Sequence, residues 1–130
     1  MKLLTTVLLI LAVTIPTFAT TPAPVKKIDW PKAEKNYVVA LASENSGVRE
    51  SAVGFLSRYK LQGAVEPLIG LLRSDRSETM RMAAAAALMK IGNKDGVAAV
   101  KEASELDGSE KVAKYCEHLL STPTEELSMN

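Results

Sequence analysis

The sequence predicts an all-α fold: a short α-solenoid, or superhelix, of antiparallel helix pairs with about two full repeats plus capping helices. Three observations predict it. Val48, Ala52 and Leu56 recur 32 residues later as Met80, Ala84 and Leu88, and again as Val112, Cys116 and Leu120. Each set has the i, i+4, i+8 spacing of a helix that buries one face. Val65 and Leu68 likewise recur at the same offset as Val97 and Val100, so both helices of a pair share the period. Finally, the chain is 47% hydrophobic but only 5% aromatic, and the helix formers Leu, Ala, Met, Lys and Glu dominate residues 32–120. A plain helical bundle with a chance internal likeness is the alternative, and the common register of both helices argues against it.

The elements follow in order. Residues 1–19 have the form of a secretory signal peptide: Lys2 as a short basic start, an apolar run from Leu3 to Ile15, a break at Pro16 and a small residue, Ala19, at the cleavage position. The alternative is an uncleaved anchor, but the run is short against the roughly 20 residues a span requires. The protein is therefore expected to be exported, periplasmic or secreted, with no membrane attachment after cleavage. Residues 20–28 read as a spacer, with Pro22 and Pro24 favouring extended chain. A repeat domain is expected over 29–121.

Asp29 and Pro31 mark a helix start, and the helix runs to about Ala42. Trp30 is expected to cover the open end of the core, because end repeats need an atypical outer face. Ser43 to Gly47 reads as a loop, followed by a helix from about Ser46 to Tyr59. Leu61-Gln62-Gly63 forms a turn in which Gly63 is expected to supply backbone freedom. The partner helix spans about Ala64 to Arg73, with Pro67 in its first turn. The second pair comprises about Glu78 to Ile91, the turn Gly92 to Gly96, and a helix ending near Leu106. A last helix runs from Ser109 to about Leu120. Residues 122–130, with Pro123, read as a frayed, flexible tail.

Chemistry finds little foothold. Removing Lys2 with the leader leaves fifteen basic and fifteen acidic residues, so nothing resembles the basic footprint of a nucleic-acid binder. Cys116 is the only cysteine. It takes the place of Ala52 and Ala84 in the repeat, which predicts a buried small hydrophobe rather than a nucleophile. His118 lies two residues on, nearly opposite on the helix, and reads as a surface residue. There is no metal-ligand spacing and no phosphate loop, so no catalytic, cofactor or metal residue is expected.

The residues that carry the repeat resemble HEAT-like repeats of the short phycobilisome-lyase type. Val48-Arg49, Ala52, Leu56 and Ala64-Val65-x-x-Leu68 match the pattern, as do Asp75, Met80-Arg81, Ala84, Leu88, Ile91-Gly92 and Val97. A third unit matches at Asp107, Val112, Cys116 and Leu120, with Ala113 in place of the arginine and no second helix. The resemblance covers about residues 43–120. It implies an inter-repeat ladder in which Asp75 pairs with Arg81 or Arg49, a structural role. Bilin attachment is not carried over, since export and the small repeat number argue against it.

HEAT solenoids present second helices to partners. There Ile69, Arg73, Lys101 and Glu105 form an expected ridge with an apolar centre and a charged rim. The alternative for Ile69 is packing against its own neighbours. The functional expectation is a protein–protein interaction module, an adaptor or scaffold without catalysis. An accessory or regulatory subunit of an exported enzyme is the alternative, and self-association through exposed repeat ends is a further expectation.

Overall fold

Asn45, Ser77, Asn93 and Ser109 recur at nearly one spacing, and each caps a helix. Their side chains accept backbone N–H donors from the first turn: Asn45 from Gly47 and Val48, Ser77 from Met80, Asn93 from Asp95 and Ser109 from Val112. Asp29 does the same at the start of the chain, accepting from Lys32 at 3.2 Å. The computed structural model of the protein describes residues 26–129. The expected leader over 1–19 and most of the spacer lie outside them.

Among the described residues the structure is all-helical. It consists of α1 (Trp30–Ala40), α2 (Ser46–Arg58), a 3₁₀ turn (Gln62–Ala64), α3 (Val65–Ser74), α4 (Glu78–Ile91), α5 (Lys94–Leu106), α6 (Glu110–Ser121) and α7 (Thr124–Met129). Helices α2, α4 and α6 stack side by side as a first layer, and α3 stacks on α5 in a second. The layers meet where α1 packs on α2, α3 on α4 and α5 on α6. This is a short α-solenoid of antiparallel pairs.

The core lies between the layers and obeys the period. Leu56 with Leu88, Leu68 with Val100, and Met80 with Val112 are fully buried, and Cys116 takes the site of Ala52 and Ala84 as expected. Burying a side chain of this size stabilises by about 1.5–3 kcal/mol. Val48 departs from the stripe: it is 43% exposed, whereas Met80 and Val112 are buried. The cause is the end of the solenoid. α1 stops at Ala40, two residues short of the register mate of Ser74, where α3 stops. In the last helix Leu119 is buried and Leu120 only partly so.

Four further expectations need correction. Gly96 is not in the turn. Asn93 caps α5 early, so Gly96 sits in its first turn, buried where α5 crosses α4, and a Cβ there would lie 2.9 Å from Leu88 Cδ2. Gly92 makes the turn alone, at φ 73°, with its N–H donating to Leu88 O. Its register mate after α2 is Lys60, also left-handed at φ 50°. Gly63 is not there for left-handed freedom either: its N–H donates to Glu34 Oε1 at 2.7 Å, and a Cβ would meet that same oxygen. Lastly, the expected frayed tail holds a helix, α7, which packs on α4 with Leu127 against the core.

Candidate functional site: a groove across the first layer

The alanine run from Ala83 to Ala87 gives α4 little girth, while its neighbours α2 and α6 carry larger side chains. The outer face of the first layer is therefore hollow. A groove of about 540 Å³ runs across it. Val53 and Gly54 of α2, Ala83, Ala86 and Ala87 of α4, and Leu119 of α6 line its apolar part. Glu50, Lys90 and His118 supply polar groups, and α7 lays Glu126 and Leu127 along it. An apolar floor within polar groups is the anatomy of a protein interface, and the size is within the ordinary range of ligand clefts.

The lining follows the period. Positions Ala83, Ala86, Ala87 and Lys90 of α4 correspond at 32 residues to Tyr115, His118, Leu119 and Thr122 of α6, and both sets line the groove. Sequence reasoning identified the alanine run as a slender helix but gave it no surface. The signal was there in the register, since outward positions repeat as strictly as inward ones.

The expected ridge on the second layer is only partly present. Ile69 is 6% exposed and belongs to the core, so it cannot be the apolar centre of a ridge. The packing alternative holds, because α3 is gripped by both α4 and α5 and its apolar face is wide. Arg73 does not meet Lys101 or Glu105; it pairs with Glu102 at 2.7 Å in the open. Lys101 and Glu105 are exposed. What remains is a charged surface, and an exposed pair of this kind contributes at most about 1 kcal/mol.

Arg49, Asp75 and Arg81 come together as a ladder between repeats. Arg81 Nη1 donates to Asp75 O at 2.8 Å, while its Nε and Nη2 donate to the two carboxylate oxygens of Asp107, each at 3.0 Å. One repeat earlier, Arg49 Nη1 donates to Ser43 O and Glu44 O, and its Nε lies 3.4 Å from Asp75 Oδ2 without a well-aligned hydrogen bond. Asp75 thus pairs with Arg49 through its side chain and with Arg81 through its backbone. Ala113 ends the ladder. Burial pushes the Asp107 carboxyl up, but the Arg81 hydrogen bonds, the Ser109 amide and the Arg81 charge outweigh this and hold it below the usual range. The Asp107 hydrogen bonds raise Arg81 in turn.

Cys116 is buried, and burial followed by the charge of Asp107 pushes its thiol up, away from reactive thiolate. His118 is exposed beside the groove, so the two side chains serve different surfaces. Among the described residues no three His, Cys, Asp or Glu side chains gather closely enough to hold a metal ion, and no helix is long and apolar enough to cross a membrane.

Comparison with known proteins gives one positive finding. The sequence model described as HEAT repeats matches residues 31–121, which spans α1 to α6. No curated protein and no solved structure matches.

Proposed function

Because the chain belongs to the HEAT-repeat family, whose members are in general protein-interaction modules, we propose that it is an exported adaptor or scaffold that binds another protein and performs no catalysis of its own. The observation that carries this reading is the groove of the first layer: an apolar floor framed by polar side chains, built from three successive repeats. Within the family the short repeats and the Val-Arg and Ile-Gly positions support placement with the phycobilisome-lyase type. The leader-like residues 1–19 support export to the periplasm or the medium, with cleavage after Ala19.

A crosslinked pull-down from periplasmic or secreted extract tests the reading, with Ala86→Arg as the control. Ala86 is half-buried in the groove floor, so the arginine projects into the groove and leaves the core intact. A protein captured by the wild type and lost by the folded variant supports the groove. Equal capture by both, or none by either, removes it. Mass spectrometry of the mature protein checks export separately: a chain beginning at Thr20 is expected, and one that still begins at Met1 overturns cleavage.

A further inference from the structure

The first layer has an open edge. In front of α4 lies α2, and in front of α6 lies α4, but among the described residues no first-layer helix lies in front of α2. The surface there is a slot of about 300 Å³, lined by Ser51, Gly54, Phe55 and Arg58 of α2 together with Tyr37 and Tyr59. Those four α2 residues are, at 32 residues, the counterparts of Ala83, Ala86, Ala87 and Lys90, and at twice that of Tyr115, His118, Leu119 and Thr122. In the two later copies the preceding helix packs beside these positions. In the first copy the position is vacant.

The vacancy is not dressed for water. A solenoid end ordinarily carries a polar outer face. The other end of the layer does: Lys114, Glu117 and Ser121, the counterparts of Glu50, Val53 and Ser57, are all exposed on α6, and Lys114 pairs with Glu110 at 2.7 Å. At the open edge the chain instead gathers four of its six aromatic residues. The Phe55 ring stacks on Tyr37 at 3.7 Å, Tyr59 leans on Phe55 at 4.8 Å, and Trp30 leans on Tyr59 at 4.8 Å. Trp30 and Tyr59 remain exposed. Exposed Tyr and Trp beside an Arg is the composition of binding hot spots.

We propose that the open edge of α2 is a docking slot for an amphipathic helix of a partner protein, which lies as α2 lies in front of α4. This rests on the reading of the chain as an interaction module and names a second surface for it. The repeat specifies the occupant. The helix must present what α4 carries at its forward positions Met82, Ala85 and Met89: apolar side chains at i, i+3 and i+7 with a small one in the middle. A second copy of the chain fits poorly. Its one open first-layer edge is the charged face of α6, and two slots set face to face offer no helix to each other.

The single tryptophan provides the readout, since Trp30 rests on Tyr59 at the slot. A capped synthetic peptide of the α4 sequence, Glu78 to Ile91, is titrated into the full chain while Trp30 emission is followed. Ser51→Arg fills the slot from an exposed position outside the core, and Ala86→Arg fills only the groove. A saturable emission change is expected with the wild type and with Ala86→Arg. At least tenfold weaker binding is expected with Ser51→Arg, and likewise with a peptide carrying Met82→Glu and Met89→Glu. Equal binding to Ser51→Arg, or no binding to the wild type, overturns the slot. So does a dimer formed without peptide that Ser51→Arg abolishes, which would make the occupant a second copy. Failure here leaves the interaction-module reading standing or falling on the Ala86→Arg pull-down, which probes a different surface.

Discussion

Lys60 holds the place after α2 that Gly92 holds after α4, and it adopts the same left-handed backbone, at φ 50°. For a residue with a Cβ that conformation costs about 1–2 kcal/mol, which glycine avoids. Part of that gain returns as extra freedom of the unfolded chain. Lys60→Gly is therefore expected to stabilise the protein by about 0.5–1 kcal/mol, read as a higher midpoint in urea. At the ladder the side chains Arg81 and Asp107 are only 15% and 8% exposed and form two hydrogen bonds to each other. Arg81→Ala leaves Asp107 charged and unpartnered there, at a cost of about 2 kcal/mol. Arg49→Ala is expected to cost less, about 1 kcal/mol, since Arg49 Nε has no well-aligned acceptor to lose. Asp107 also carries a pH dependence. Its folded pKa lies below the unfolded value near about 3.9, so its contribution is complete above that value and is lost as pH falls through the folded pKa. Asp107→Asn should therefore destabilise most at neutral pH, and the gap to wild type should narrow below about pH 4. Melting curves at both ends of that range check it, and a gap that widens in acid would refute the pairing.

At the scale of elements, α7 is the piece the molecule holds least firmly: six residues that pack on α4 through a partly buried Leu127. Half-burial of a leucine contributes about 1 kcal/mol, so a chain ending at Ser121 is expected to fold with a melting temperature lowered by about 5 °C. Its helical signal should fall only by that one short helix, and a collapse of the whole transition would show that α7 belongs to the core. This helix illustrates where sequence reading ran short. α4 was legible to the residue because every cue agreed: Ser77 at one end, a left-handed Gly92 at the other and a period of apolar residues between. α7 has six residues and one buried anchor, too few for a period to register. The start of α5 was hidden because Asn93-Lys94-Asp95-Gly96 has the composition of a turn, while Gly96 answers a demand that only packing creates, the approach of Leu88. Ile69 failed for a related reason. A strict helical period assigns one face to the core, but α3 lies against both α4 and α5 and buries more than one face. The groove and the slot needed the reverse reasoning, applying the same 32-residue register to residues that face outward.

At the scale of the whole molecule, each contact in the stack is between nearest neighbours: α2 with α4, α4 with α6, α3 with α5. Stability in such a chain is close to a sum of repeat terms and interface terms, so one more interior repeat adds both. The sequence supplies the unit and its seams. Residues 78–109 begin after the cap Ser77 and end on the equivalent cap Ser109. Inserting a second copy of 78–109 after Ser109 keeps a cap at each junction. It places a new Arg81 beside the backbone of the first Asp107 and supplies a second Asp107 for its guanidinium, which extends the ladder by a rung. It also leaves the open edge of α2 and the polar face of α6 at the two ends, unchanged. The lengthened protein is expected to gain helical signal in proportion to two added helices and to melt higher than the parent. The α4 peptide should bind it with unaltered affinity, because the slot lies a full repeat away from the insertion. A lower melting temperature, or a broad transition without a fixed midpoint, would mean that the 32-residue period is a pattern of burial rather than the unit from which the solenoid is built.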